Sequence, residues 1–70
     1  MSLLYVVVDT DVVGAAGEFK RTEYTEDTLR NAPRKVKEWF ETLADTHGGY
    51  YHAGAYIRVG ATIFQIEEGN

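Results

Sequence analysis

Cysteine is absent from the 70 residues of this sequence. That absence excludes disulfide cross-links, cysteine-ligated zinc and thiol nucleophiles. It also argues against a small secreted domain, because such domains are generally rich in disulfides. Ser2 is the only serine in the sequence, so a serine nucleophile is not expected either.

Long apolar runs are also missing. The longest, Leu3 to Val8, is far shorter than the roughly 20 residues that a membrane-spanning helix needs. No basic segment precedes this run and no small-residue cleavage pattern follows it, so it is typical of a strand and not of a signal peptide. We therefore expect a cytoplasmic protein, in the producing cell or in a host cell, with no membrane partner.

Positive charge is scarce, since seven lysines and arginines face eleven acids and give a net charge of −4. This balance argues against general nucleic-acid binding, which depends on neutralising phosphates. Four cations nevertheless stand together in residues 30–37, a segment without any acid: Arg30, Arg34, Lys35 and Lys37.

The first third of the chain predicts two strands. Leu3 to Val8 is apolar at both parities, which is typical of a central strand, and Val12 and Val13 are able to extend it. Residues Glu18 to Tyr24 alternate charged side chains with less polar ones, as an exposed edge strand does.

One main helix is predicted in the middle of the chain. The segment Thr25 to Thr28 resembles a helix start, but a helix running on from there would enclose Pro33 at a cost of about 3 kcal/mol. We therefore expect Asn31 to cap the helix, with Pro33 in the first turn and Gly48 as a left-handed stop. The apolar stripe of this helix follows helical spacing: Val36, Trp39, Phe40, Leu43 and Ala44.

Two further strands, Tyr50 to Val59 and Ala61 to Glu67, are predicted to follow, with a bend at Gly54 and a tight turn at Gly60. The whole chain is then a single α+β domain, residues 1–70, in ββαββ order. We expect a four-stranded mixed sheet of order 2-1-4-3, with its first and last strands parallel and one helix on one face. This topology is β-grasp-like, although no motif links the sequence to a family.

One helix covers only one face of such a sheet. The covered face is predicted to hold Leu4, Val6, Val8, Ile57, Val59, Phe64 and Ile66. The uncovered face is predicted to hold Leu3, Tyr5, Val7, Tyr56, Arg58, Ile63 and Gln65. Because the second set is more apolar and aromatic than a solvated face, it predicts an interface.

The candidate partner-binding residues follow from that face: Tyr5, Val7, Tyr56, Arg58, Ile63 and Gln65. Two alternatives compete with a foreign partner: residues 10–17 or the chain ends fold over this face and bury it, or a homodimer uses it. A second candidate is the basic helix start, Arg30, Arg34, Lys35 and Lys37, which would suit nucleic acid. The i,i+4 pairs Arg34–Glu38 and Lys37–Glu41 favour an ordinary solvated helix surface instead.

The remaining patterns are weak. His47 and His52 have no spacing that enforces a metal site, and Asp9-Thr10-Asp11 is more typical of a turn than of a calcium loop. An array of acids that mimics nucleic acid is a further alternative. We expect no cofactor, no metal and no catalytic residue. The sequence therefore predicts a small non-enzymatic protein-binding module, an inhibitor or adaptor of the kind that phages and mobile elements encode, whose partner is another protein.

Overall fold

The computed structural model describes residues 2–46, 48 and 52–69, which form one four-stranded sheet and two helices. The elements in chain order are β1 (Ser2–Val13), β2 (Phe19–Tyr24), α1 (Glu26–Leu29), α2 (Arg34–Thr46), β3 (Tyr56–Val59) and β4 (Thr62–Gly69). The α+β class, the order of strands around the main helix and the sheet order β2-β1-β4-β3 are confirmed.

The direction of the central pairing differs from the expectation. β1 runs antiparallel to β4, with Tyr5 opposite Ile66 and Val7 opposite Phe64. The two outer pairings are antiparallel as well. The sheet is therefore antiparallel throughout, which corrects the mixed sheet and the parallel centre that a β-grasp-like topology requires.

The cause is the segment between β2 and α2. Thr25 caps the short helix α1 through a reciprocal pair of bonds, in which the Thr28 N–H donates to Thr25 Oγ1 over 3.2 Å and the Thr25 N–H donates to Thr28 Oγ1 over 2.7 Å. The chain then reaches the end of the sheet where Asp9 and Lys20 lie beside the start of α2. α2 runs back along the sheet, so β3 begins at the end where β2 stopped and its direction is reversed.

The helix boundary at Pro33 also differs by a few residues. α2 begins at Arg34 and not at Ala32, and the carbonyl of Pro33 accepts from the N–H of Lys37 over 3.3 Å. Asn31 therefore lies in the turn before the helix and does not cap it. Gly48 follows α2 with φ of 67° and donates to Asp45 O over 3.2 Å, which confirms the left-handed stop.

The core lies between α2 and the sheet. The predicted stripe is confirmed, because Val36, Leu43 and Ala44 are buried and Trp39 and Phe40 are half-buried. Phe40 makes edge-on ring contacts with Tyr5 at 5.1 Å and with Phe64 at 6.4 Å between centroids. Such aromatic pairs add to the free energy gained from burial alone.

β1 presents the opposite parity to the one predicted. Tyr5 and Val7 face α2, as their pairing with the buried Ile66 and Phe64 requires, and Leu3 packs against the same core. Leu4, Val6 and Val8 therefore lie on the uncovered face. Both parities of β1 are apolar, and periodicity therefore gave no reason to prefer one. The faces of β3 and β4 are as predicted, with Ile57, Phe64 and Ile66 in contact with the core. Val59 shares their side of the sheet but is exposed.

β3 is shorter than predicted. It covers only Tyr56–Val59, and the preceding Gly54 has φ of 96° and donates to Ile66 O over 2.8 Å. Tyr50 and Tyr51, which the predicted strand included, lie outside the described residues. Gly60, at φ of 61°, begins the two-residue turn into β4, as predicted.

Two tyrosines test the assignment of faces, because Tyr5 is 6% exposed under the helix whereas Tyr56 is 64% exposed on the other face. We expect Tyr5→Ala to lower the free energy of unfolding by about 3–5 kcal/mol, since it empties a core site. Tyr56→Ala should change it by no more than about 0.5 kcal/mol. Urea denaturation followed by circular dichroism measures both. Equal losses would contradict the assignment of these residues to opposite faces.

Candidate functional site

The predicted sheet-face site divides between two environments. Tyr5 and Val7 belong to the packed side beneath α2 and are not available to a partner, which corrects their assignment. The other four residues, Tyr56, Arg58, Ile63 and Gln65, lie together on the uncovered side, called the open face below. Only this part of the predicted set forms one surface.

The centre of the open face is closed to water although no helix covers it. Val6 is 0% exposed, while its pairing partners Glu23 on β2 and Gln65 on β4 carry polar side chains. A fully buried valine at this position requires that neighbouring side chains lie across it.

Arg21 and Glu67 supply that cover. Arg21 stands opposite Val8 and Glu67 stands opposite Leu4, so a bond between them crosses β1 diagonally over Val6. The contact is bidentate, with Nη1 donating to Oε2 over 2.9 Å and Nη2 donating to Oε1 over 2.7 Å.

Two neighbours complete the network. Arg21 Nε donates to Glu23 Oε2 over 2.8 Å, and Gln65 Nε2 donates to Glu67 Oε2. The hydrogen bonds from Arg21 hold the pKa of Glu67 below its ordinary value, burial opposes that shift and the bond from Gln65 supports it. The same carboxylates raise the pKa of Arg21. Arg21 therefore binds carboxylates of its own chain. At the centre of the open face lies a polar network whose members already hydrogen-bond one another.

The exposed part of the open face lies toward β3. Tyr56 is largely exposed, Ile63 is half-buried, and Arg58 Nε donates to the carbonyl of Gly60 over 3.1 Å. This leaves a small aromatic surface beside a guanidinium that is already oriented by its own turn.

A second exposed apolar surface, which the sequence analysis did not identify, lies at the end of the β1–β2 hairpin. β1 stops pairing with β4 at Asp9, and Thr10 is fastened to Ala61 O by its N–H at 2.9 Å and its hydroxyl at 2.6 Å. Beyond that point β1 pairs only with β2, through Val13 and Phe19 after a shift in register. Residues 10–17 therefore extend the hairpin past the other strands instead of covering the open face.

Three large apolar side chains are exposed on this extension, and we call them the hairpin end: Val12 at 45%, Val13 at 58% and Phe19 at 50%. The turn between them is closed by a bond from Gly14 N to Glu18 O at 2.8 Å, and Gly17 adopts φ of 78°. Exposed acids, Asp11 and Glu18, flank the apolar group. The signal in the sequence was apolar residues directly bordering a glycine-rich turn.

The basic helix start does not form one patch. Successive helical residues are 100° apart, so Lys35 and Lys37 lie on nearly opposite sides of α2. Lys35 borders β2, whereas Lys37 lines a shallow groove with Arg30 and with the acids Glu26 and Glu41. Arg34 pairs with Glu38 at 3.5 Å, and the described residues show no ion pair between Lys37 and Glu41.

The remaining candidates show no built site. Asp9 Oδ1 accepts from the N–H of Asp11 over 3.0 Å, which is the geometry of a turn. His52 is exposed and its Nδ1 lies 3.1 Å from Ala53 O, while His47 lies outside the described residues. Within the described ranges no three potential metal ligands come together, and no helix has the length and apolar character to cross a membrane.

Comparison with known proteins gives no functional indication, because the chain matches no protein-family model, no curated protein and no solved structure.

The Arg21–Glu67 pair predicts a specific pH dependence. Glu67 has a depressed pKa in the folded state, so its pairing stabilises the fold at pH values above the ordinary value of 4.5 and loses its effect as the pH falls through the folded value. We expect Glu67→Gln to lower the free energy of unfolding by about 0.2–1 kcal/mol at neutral pH, the range for solvent-accessible pairs.

The difference between Glu67→Gln and the unmodified protein should shrink as the pH is lowered toward 3, which urea denaturation across that pH series measures. Glu68→Gln is the matched control, since Glu68 is exposed and forms no ion pair among the described residues. A Glu68→Gln curve identical to the Glu67→Gln curve would contradict a specific contribution of the pair.

Proposed function

We propose that this protein is a non-enzymatic protein-binding module that acts by occupying a surface of its partner, and that it docks through the hairpin end. The observation that carries the proposal is the exposure of Val12, Val13 and Phe19 on a hairpin that projects past the rest of the sheet. Apolar side chains contribute to binding when they are buried in a complementary pocket, and the central ones dominate the affinity.

The shape and charge of the hairpin end define the partner surface. A projecting apolar group fits a concave apolar groove, and the flanking acids Asp11 and Glu18 favour basic side chains at the rim of that groove. Simple occupancy of such a groove suits an inhibitor or an adaptor. A cytoplasmic partner, and an origin in a phage or mobile element, belong to the same proposal.

The open face supports the proposal less strongly. Its central aliphatic residue is already covered by the Arg21–Glu67 pair, so a partner would gain little further burial there. Its exposed part, Tyr56 with Arg58, is small, so it would add to an interface centred elsewhere and would not form the centre of one. The divided cations of α2 likewise give no continuous surface for nucleic acid.

Two matched double variants test the docking surface. Val13→Ser with Phe19→Ser removes a directly paired couple from the hairpin end, and Tyr56→Ser with Val59→Ser removes two exposed apolar side chains from β3. All four sites are largely solvated, so both variants should keep the melting temperature within a few degrees. Chemical crosslinking in cells that produce the protein, followed by mass spectrometry, identifies bound proteins.

We expect the hairpin variant to lose the partner, with an affinity loss of about tenfold or more for each buried apolar side chain, while the β3 variant retains it. Retention by the hairpin variant and loss by the β3 variant would transfer the contact to β3, whose exposed Tyr56 lies on the open face and whose exposed Val59 lies on the other. Light scattering over a wide concentration range measures the solution mass and so detects self-association. If the protein forms a dimer that the hairpin variant abolishes and the β3 variant does not, the partner is a second copy of this chain.

A further inference from the structure

The side of α2 that faces β2 forms one wall of a cleft whose volume is about 170 Å³. The floor is the helix-facing side of the sheet, where Asp9 and Thr62 pair across β1 and β4 and where Lys20 and Thr22 lie on β2. Lys35 and Trp39 stand on the helix wall. The cleft exists because α2 crosses the sheet from the β2 side toward β3 and leaves this corner uncovered.

The two lysines of this cleft form no ion pair with any described residue. Lys20 lies opposite Asp9 in the strand pairing, yet the Asp9 carboxylate accepts from the N–H of Asp11. Among the described residues neither Lys20 nor Lys35 has a carboxylate oxygen within 4.0 Å of its ammonium group. Two cations and one acid therefore border a cleft in a protein whose net charge is −4.

The polar groups of the cleft are also oriented and available. Lys35 Nζ lies 5.7 Å from the centre of the Trp39 ring, a cation–π contact that restrains the ammonium beside the cleft. Thr22 and Thr62 are half-buried, and no group in the described part of the chain takes up the hydrogen bonds of their hydroxyls. Two lysines and two hydroxyls thus converge on one volume.

We propose that this cleft binds a small phosphate ester with a hydroxylated body. Two separate ammonium groups suit a dianionic phosphate, for which lysine serves as a compact point charge. Asp9, Thr22 and Thr62 supply acceptors and donors for hydroxyl groups on the remainder of the ligand. The volume is below the roughly 300–1,000 Å³ of sites for drug-sized ligands, which limits the ligand to the size of a phosphorylated sugar or polyol.

The sole tryptophan provides a direct readout, because Trp39 lines the cleft. Ribose 5-phosphate is the probe, with ribose and inorganic phosphate as the two partial ligands, and Trp39 fluorescence is followed at a pH above about 6 so that the phosphate is dianionic. We expect a saturable change with ribose 5-phosphate, weaker binding of inorganic phosphate and none of ribose.

Substitutions then locate the site. Lys20→Gln should weaken binding about tenfold, as expected for one lost charge-assisted bond, and it leaves the Trp39 contact intact. Lys37→Gln is the matched control, since it removes the same charge from the other side of α2. Lys35→Gln alters the environment of Trp39 directly, so its affinity is measured by calorimetry. Circular dichroism establishes that each variant is folded.

Three results would overturn the proposal. The first is the absence of a saturable signal with ribose 5-phosphate, and the second is equal weakening by Lys20→Gln and Lys37→Gln, which would reveal a general charge effect. The third is that inorganic phosphate binds as tightly as the ester, which would mean that the cleft does not recognise the hydroxylated part of the ligand. The proposal is independent of docking by the hairpin end, and both the probe and the readout are independent of any protein partner.

Discussion

A single helical layer has to protect a central strand that is apolar on both sides, and the rest of the structure follows from this constraint. α2 covers Tyr5 and Val7, but it leaves Val6 on the side that no helix reaches. Arg21 and Glu67 cover Val6 on that side, since their bidentate contact spans β1.

Fully burying a valine side chain is worth about 1.5–3 kcal/mol. An exposed ion pair alone contributes about 0.2–1 kcal/mol. The main effect of the pair is therefore to lay two long side chains across β1 over Val6.

This cover changes where a partner can gain free energy. A polar network whose members already bind one another offers little to a second molecule, since its hydrogen bonds would have to be replaced one for one. Apolar exposure is instead concentrated where β1 and β2 continue past Asp9 and have neither a third strand nor a helix beside them. Residues there contribute little to the core, so their side chains are free to suit a partner. The fold thereby separates the residues that stabilise it from those proposed to bind.

The sequence predicted those elements in which one physical signal was unambiguous. β4 alternates the buried Phe64 and Ile66 with the more polar Gln65 and Glu67, so its faces were assigned correctly, whereas β1 is apolar throughout and its faces were reversed. The strand direction depended on the short helix α1 and on the turn before Pro33, which reverse the path of the chain. α1 packs through Leu29 against core residues that are distant in sequence. The clear alternation of β4 is why the sequence placed Ile63 and Gln65 correctly beside Tyr56 and Arg58, and the lack of alternation in β1 is why it misplaced Tyr5 and Val7. The hairpin end escaped notice because apolar residues in a strand pattern are typical of a core. The cleft required the tertiary approach of Lys20 to Lys35.

Strand alternation also keeps the two proposed surfaces apart. Phe19 and Lys20 are neighbours in β2, yet successive side chains of a strand point to opposite faces of a sheet. Phe19 belongs to the hairpin end and Lys20 to the cleft under α2. A change at one of them therefore alters a different surface from a change at the other, although the two Cα atoms are separated by a single peptide unit. Asp9 lines the cleft and also marks the point where the hairpin leaves the sheet. Coupling between the two ligands would run along β2, where Phe19 adjoins Lys20, or along β1 near Asp9, where the bonds from Thr10 to Ala61 fix the position of the chain.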